Sequence, residues 1–155
     1  MGYLVFALRL FLGALLLVAG VLKAHDGPSL SASSIAAYRL LPPVVIAPLG
    51  TFLPYFEIFV GGYLVVGLFT RIAASVAAAQ FALFAAAVAS LVVRGLPADC
   101  GCFGSGVNTP PSWLHVAADL LLAVLAGLVA WRAPGFAALD QRLGTSGSFE
   151  PRHEV

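Results

Sequence analysis

The chain has 155 residues, of which 61% are hydrophobic and 10% are charged, and its formal net charge at pH 7 is +1. Soluble domains are about 45–50% apolar and about 25% charged, so this chain has too few polar side chains to coat a soluble core. The small net charge excludes a basic surface for nucleic acid, and two cysteines are too few for a disulfide-rich scaffold. The composition therefore predicts an integral protein of the lipid bilayer.

Four apolar segments are long enough to cross a membrane, which takes about 20 mostly apolar residues per helix. The first is predicted over residues 3–22, and Arg9 is its one charged residue. It lacks the basic start and the small-residue cleavage site of a signal peptide, so we predict a helix that is retained. The other spans are predicted at about residues 49–69, 72–93 and 113–131.

The connections and the small residues predict how these spans pack. A very short turn joins the second span to the third, so those helices should be antiparallel neighbours. Gly13, Gly20 and Gly61 recur where helices would touch, and small residues let backbones approach closely in lipid. The predicted fold class is all-α: an integral membrane four-helix bundle over residues 1–132, followed by a polar cytoplasmic tail at 133–155.

Residues 24–43 form a long loop that is predicted to contain a short interfacial helix. Ile35, Tyr38 and Leu41 recur at a spacing of three. The serines that precede them could cap a helix, and Pro42-Pro43 would end it. We therefore expect this helix to lie on the membrane surface.

The distribution of basic residues predicts the orientation. With four spans, both termini share one face, and that face carries one more basic residue than the other. The positive-inside rule then places the termini in the cytoplasm and Cys100 and Cys102 outside it, where disulfides persist. The face of the termini has Arg71, Arg132, Arg142 and Arg152, and the opposite face has Lys23, Arg39 and Arg94.

Ionisable side chains at membrane depth are costly and therefore suggest function. Glu57 and Asp119 are expected about 8–9 Å below the outer surface, counted by helical rise from the predicted span ends. Lys23 and His115 lie near the outer ends of their helices, so four titratable groups should gather beneath the cysteines. Alternatively, Glu57 forms a structural ion pair with Lys23 or is a protonated acid. Arg9 lies near the inner face, where it can extend to the cytoplasm.

The segment Cys100-Gly101-Cys102-Phe103-Gly104 contains both cysteines. A disulfide between them would close a small, strained ring, and strained exposed disulfides are the labile ones. Gly101 permits the unusual backbone angles that such a ring needs. The spacing predicts redox exchange, while a structural disulfide and a metal site with His115 are the alternatives. The metal site lacks a secure fourth ligand.

These motifs together resemble the MauE family, a branch of the DoxX-like four-span bacterial membrane proteins. The resemblance covers about residues 9–130, and the cysteine motif is its most specific part. This chain has Ala118 where the family commonly has an arginine, so Asp119 needs another partner, for which Lys23 and Arg94 are candidates. The other matching residues are Arg9, Gly13, Ala19, Gly20, Lys23, Tyr38, Arg39, Leu40, Leu41, Pro42, Pro54, Glu57, Gly61, Gly67, Arg71, Trp113, His115 and Asp119.

The resemblance implies a location in the bacterial plasma (inner) membrane and a role in the maturation of methylamine dehydrogenase. It implies that Cys100 and Cys102 exchange disulfides with an extracytoplasmic thioredoxin-like partner or a secreted client protein. Lys23, Glu57, His115 and Asp119 would then tune this pair or pass its protons, which would make the chain a membrane thiol–disulfide oxidoreductase. Two alternatives remain: a non-enzymatic scaffold with a structural disulfide, and an electron-transfer subunit that uses quinone as cofactor.

Overall fold

The computed structural model describes residues 2–96 and 110–132, and within them the chain is helical. Its elements are α1 (Gly2–Asp26), α2 (Pro28–Ala37), α3 (Pro43–Val66), α4 (Thr70–Arg94) and α5 (Trp113–Arg132). All of them except α2 are long and apolar enough to cross a membrane. The predicted all-α fold with four spanning helices is therefore confirmed. The predicted tail at 133–155 lies outside the described residues.

The second spanning helix begins earlier in the chain than the apolar pattern predicted. Pro42 has an extended backbone, and α3 starts at Pro43 instead of near residue 49. Proline is favourable in the first turn of a helix, because the amide hydrogen it lacks would have no partner there. The pair Pro42-Pro43 therefore opens α3, whereas we expected it to end the preceding helix.

The short helix in the first connection is present, but it too begins earlier than predicted. Gly27, with φ of 87°, is the N-cap residue of α2, so the expectation that a serine caps this helix is wrong. Ser33 and Ser34 lie inside the helix and donate hydrogen bonds to the carbonyl of Leu30. The helix packs against α3 where a glycine leaves room: a Cβ on Gly50 would lie 2.7 Å from the backbone nitrogen of Ala32.

A tight turn reverses the chain between α3 and α4, as the short predicted connection required. Gly67 ends α3 in the left-handed conformation, with φ of 75°, and its amide donates to the carbonyl of Tyr63 at 2.8 Å. Phe69 is also left-handed, with φ of 48°, and α4 begins at the next residue. These two helices are antiparallel neighbours, but the most extensive interfaces are those of α1 with α3 and of α4 with α5.

Glycines set the close approach of α1 and α3. A Cβ on Gly13 would lie 2.9 Å from the carbonyl oxygen of Gly61, and a Cβ on Gly61 would lie 2.7 Å from that of Gly13. The predicted role of these glycines in helix packing is confirmed. The apolar core around them includes Leu12, Leu16, Leu64, Ala74, Ala77, Ala126 and Val129. The outer surfaces of the helices carry large exposed apolar side chains, as a lipid-facing bundle requires.

Candidate functional site: a buried ion pair between three helices

The close approach of α1 and α3 brings two charged side chains together. Gly20 is the contact residue, because a Cβ there would lie 2.7 Å from the carbonyl oxygen of Pro54 and 3.0 Å from the Cβ of Glu57. Lys23 follows Gly20 by about one helical turn, so its side chain lies on the same face of α1 and reaches Glu57 on α3. The absence of a side chain at Gly20 thus permits the ion pair.

Lys23 and Glu57 form this ion pair in the interior of the bundle. Nζ of Lys23 donates to Oε1 of Glu57 at 2.6 Å, and the two side chains are 7% and 0% exposed. Pairing offsets the cost of removing each charge from water, a cost of several kcal/mol per ion. The structural ion pair that the sequence offered as an alternative for Glu57 is present.

Helix α4 completes the cluster with an amide and an aromatic ring. Nε2 of Gln80 donates to Oε1 of Glu57 at 3.1 Å. Nζ of Lys23 lies 5.0 Å from the centre of the Phe84 ring, within the range of a cation–π interaction. We refer to Lys23, Glu57, Gln80 and Phe84 as the buried polar cluster. Sequence reasoning did not include Gln80, although a strongly polar amide in an uncharged apolar span was a signal for it.

Glu57 lies farther from the start of its helix than the sequence predicted. It is 14 residues after the first residue of α3 and 9 residues before the last. These counts correspond to about 21 Å and about 14 Å of helix. The sequence estimate counted from a span that begins near residue 49, so it places Glu57 closer to the start of the helix than α3 does.

The other two predicted titratable residues belong to α5, which packs mainly on α4. Asp119 is 8% exposed and is the sixth residue after Trp113, where α5 begins as predicted. Val116, about one turn before it, packs with Ala85 and Val88 of α4. Of the four predicted residues, Lys23 and Glu57 thus come from α1 and α3, and His115 and Asp119 come from α5.

His115 lies in the first turn of α5 and is half-buried. Its Nδ1 is 2.7 Å from the hydroxyl oxygen of Ser112, the residue before the helix. This contact fixes the imidazole at the end of the bundle that leads to the cysteine segment. Within residues 2–96 and 110–132, no three His, Cys, Asp or Glu side chains form a group that could hold a metal ion.

Arg9 is buried, which contradicts the expectation that it extends to the cytoplasm. The residue is 1% exposed, and its guanidinium carbon lies 5.3 Å from the centre of the Phe6 ring. Phe6 precedes it by about one turn of α1, so the arginine packs on an aromatic ring of its own helix. Arg9 is thus an interior residue of the bundle.

Both cations that were candidates to pair with Asp119 have other partners. Lys23 bonds to Glu57, and Nη1 of Arg94 donates to the backbone carbonyl of Tyr38 at 2.8 Å. The second contact joins the last residue of α4 to the segment that follows α2. Arg39, the next residue of this segment, has a left-handed backbone with φ of 50°.

The predicted redox residues lie outside the described part of the chain. They are Cys100 and Cys102 with Gly101, Phe103 and Gly104. The described residues lead to this segment from both sides, through the end of α4 at Arg94 and the start of α5 at Trp113. The redox pair therefore stays a prediction.

Four apolar helices around a buried lysine–glutamate pair indicate a multi-pass membrane protein. The family model described as "Methylamine utilisation protein MauE" matches residues 1–132, which include every described helix. The chain belongs to this family, as its motifs predicted.

Curated relatives agree with the family assignment. The chain is 37% identical over 142 residues to a "Methylamine utilization protein MauE" of Paracoccus denitrificans, covering 91% of this chain and 76% of the relative. A protein of the same name from Methylorubrum extorquens is 34% identical over 127 residues, covering 81% of this chain and 68% of the relative. One from Methylophilus methylotrophus is 38% identical over 119 residues, covering 73% and 60%. No solved structure is significantly similar to the chain.

Proposed function

We propose that this protein is a membrane maturation factor of methylamine utilisation that exchanges disulfides through Cys100 and Cys102. The observation that carries the proposal is the family match over residues 1–132, which includes the Cys-Gly-Cys segment and the buried polar cluster. Three relatives that carry the methylamine utilisation name share 34–38% identity with the chain. Methylamine dehydrogenase is the client that this name favours.

The proposed exchange conserves atoms and electrons. A thiolate of an extracytoplasmic thioredoxin-like partner attacks one sulfur of the Cys100–Cys102 disulfide and forms a mixed disulfide. The first attack releases one cysteine of the pair, the second thiolate of the partner then attacks the mixed disulfide and releases the other, and both become thiols on protonation. The partner loses two electrons and two protons, and the pair on this chain gains them. The reverse sequence reduces a partner disulfide.

The described residues support this chemistry by moving protons and by holding the helices together. In the proposal, His115 takes or returns a proton of the thiols, because it lies at the end of α5 nearest the cysteine segment. The Lys23–Glu57 pair fixes α1 against α3. In the proposal, Asp119 of α5 tunes the cysteine pair or passes its protons. The protein acts in the bacterial plasma membrane, with its termini in the cytoplasm and its cysteines outside, where disulfides persist.

Trapping of a mixed disulfide tests this function. Cells that make the Cys102→Ser or the Cys100→Ser variant are quenched with acid, and free thiols are alkylated. One of the two variants should yield a covalent complex with the partner that a reductant cleaves, because the cysteine that would resolve the mixed disulfide is missing. The double Cys→Ser variant is the matched control and should yield none.

Two results would contradict the redox function. One is a single, unvarying redox state of the cysteines in cells that mature their client and in cells that do not. The other is full maturation of the client by the double Cys→Ser variant, which would favour the non-enzymatic scaffold. Quinone that copurifies in stoichiometric amount, and is reduced when the dithiol is oxidised, would identify the electron acceptor.

A further inference from the structure

Two acceptor atoms of the buried polar cluster receive no hydrogen bond from the part of the chain that the structure describes. They are Oε2 of Glu57 and Oε1 of Gln80, in residues that are 0% and 5% exposed. In contrast, Oε1 of Glu57 accepts from both Lys23 and Gln80. A buried acceptor without a donor costs about 1–3 kcal/mol, and more when it is charged.

The two acceptors belong to groups in direct contact, so one small molecule could serve both. Nε2 of the Gln80 amide donates to Oε1 of the Glu57 carboxylate at 3.1 Å. The unpaired atoms are the other oxygen of that carboxylate and the oxygen of that amide. A suitable ligand must present at least two O–H or N–H donors. It must also be small, because Lys23 and the backbone of α1 at Gly20 already pack against Glu57.

We propose that the bundle binds a water molecule in this cluster, which donates to Oε2 of Glu57 and to Oε1 of Gln80. Buried waters usually bond to about three otherwise unsatisfied polar groups, and two acceptors of this kind are present. The water keeps Glu57 ionised opposite Lys23. It also gives the carboxylate a second neighbour through which a proton can exchange, as in membrane proton relays. This inference does not depend on the cysteines.

Solid-state NMR of the full chain in lipid bilayers tests the proposal, because both residues can be labelled selectively. Glu57 is the one glutamate followed by isoleucine, and Gln80 is the one glutamine followed by phenylalanine. Pairs of ¹³C and ¹⁵N labels therefore assign both Cδ signals without a substitution. Magnetisation transfer from water protons is then measured at each Cδ, with the methyl groups of fully buried Leu64 as internal control.

The expected result is a carboxylate chemical shift for Glu57 and early transfer from water to both Cδ atoms, with slow transfer to Leu64. The Gln80→Met variant keeps the length of the side chain and removes both of its polar atoms. It should lose the early transfer from water to Glu57. A carboxylic acid shift at Glu57 would overturn the proposal, because a proton then satisfies Oε2. Transfer as slow as at Leu64, or from the protons of an organic molecule, would overturn it as well.

Discussion

The Lys23→Met substitution removes the cation of the buried ion pair and leaves the carboxylate of Glu57 in place. Glu57 is 0% exposed, and the substitution takes away its 2.6 Å contact with Lys23 and the contact of that ammonium with Phe84. Loss of one partner of a buried pair costs about 3–5 kcal/mol, because the remaining charge is uncompensated. This cost lowers the equilibrium constant between folded and unfolded protein by about two to nearly four powers of ten.

The double variant Lys23→Met/Glu57→Gln should recover most of this loss. It buries no charge, and the carbonyl oxygen of the amide introduced at position 57 would still accept the hydrogen bond from Gln80. The free energy of unfolding is measured by titrating the protein with sodium dodecyl sulfate in mixed micelles, with helix content as the signal. The coupling energy between Lys23 and Glu57 is obtained from the two single variants and the double variant. Polar contacts between membrane helices have averaged about 0.6 kcal/mol in such cycles, so a larger value identifies an unusually strong pair.

The result that refutes the reasoning is a double variant no more stable than Lys23→Met. In that case the cost of the single substitution does not come from an uncompensated charge on Glu57. The Lys23→Arg substitution is a further control, because it keeps the charge but replaces the compact ammonium that contacts Glu57 at 2.6 Å with a planar guanidinium. It should be less stable than the natural chain.

Further predictions concern helix packing, the amide of α4 and the connection after α2. Gly61→Ala should destabilise the bundle by about 1–3 kcal/mol, since its Cβ would lie 2.7 Å from the carbonyl oxygen of Gly13. Gly62→Ala is the matched control, because a Cβ there meets nothing within 4 Å, and it should change the free energy of unfolding little or raise it. Gln80→Leu removes a donor to a buried carboxylate and should cost about 1.5–3 kcal/mol in the same titration; no change would show that the amide does not bond to Glu57. Arg94→Met removes the donor to the Tyr38 carbonyl and should speed proteolytic cleavage between α2 and α3, whereas Arg71→Met, an exposed residue at the other end of α4, should not. Equal cleavage of both variants would mean that this contact does not hold the connection.

Helix ends were harder to predict from the sequence than helix number. The length of each apolar segment fixes how many helices can cross a bilayer, and this number was right. Pro42-Pro43 could either end one helix or begin the next, because proline is disfavoured inside a helix but favourable in its first turn. The structure resolves this ambiguity in favour of a beginning, which changes the position of Glu57 along α3.

The apolar segments, the glycines and the charged residues within spans are local features, so the sequence by itself determined the four-helix class, the small-residue contacts and the short list of costly buried groups. Which of those groups meet depends on how the helices are rotated about their axes. Only the tertiary structure decided that Lys23 pairs with Glu57, that Gln80 joins them from α4, and that Arg9 turns inward. The physical reason is that a polar side chain in lipid must find its partner on another helix, and the sequence of one helix does not encode which face of a neighbour it will meet.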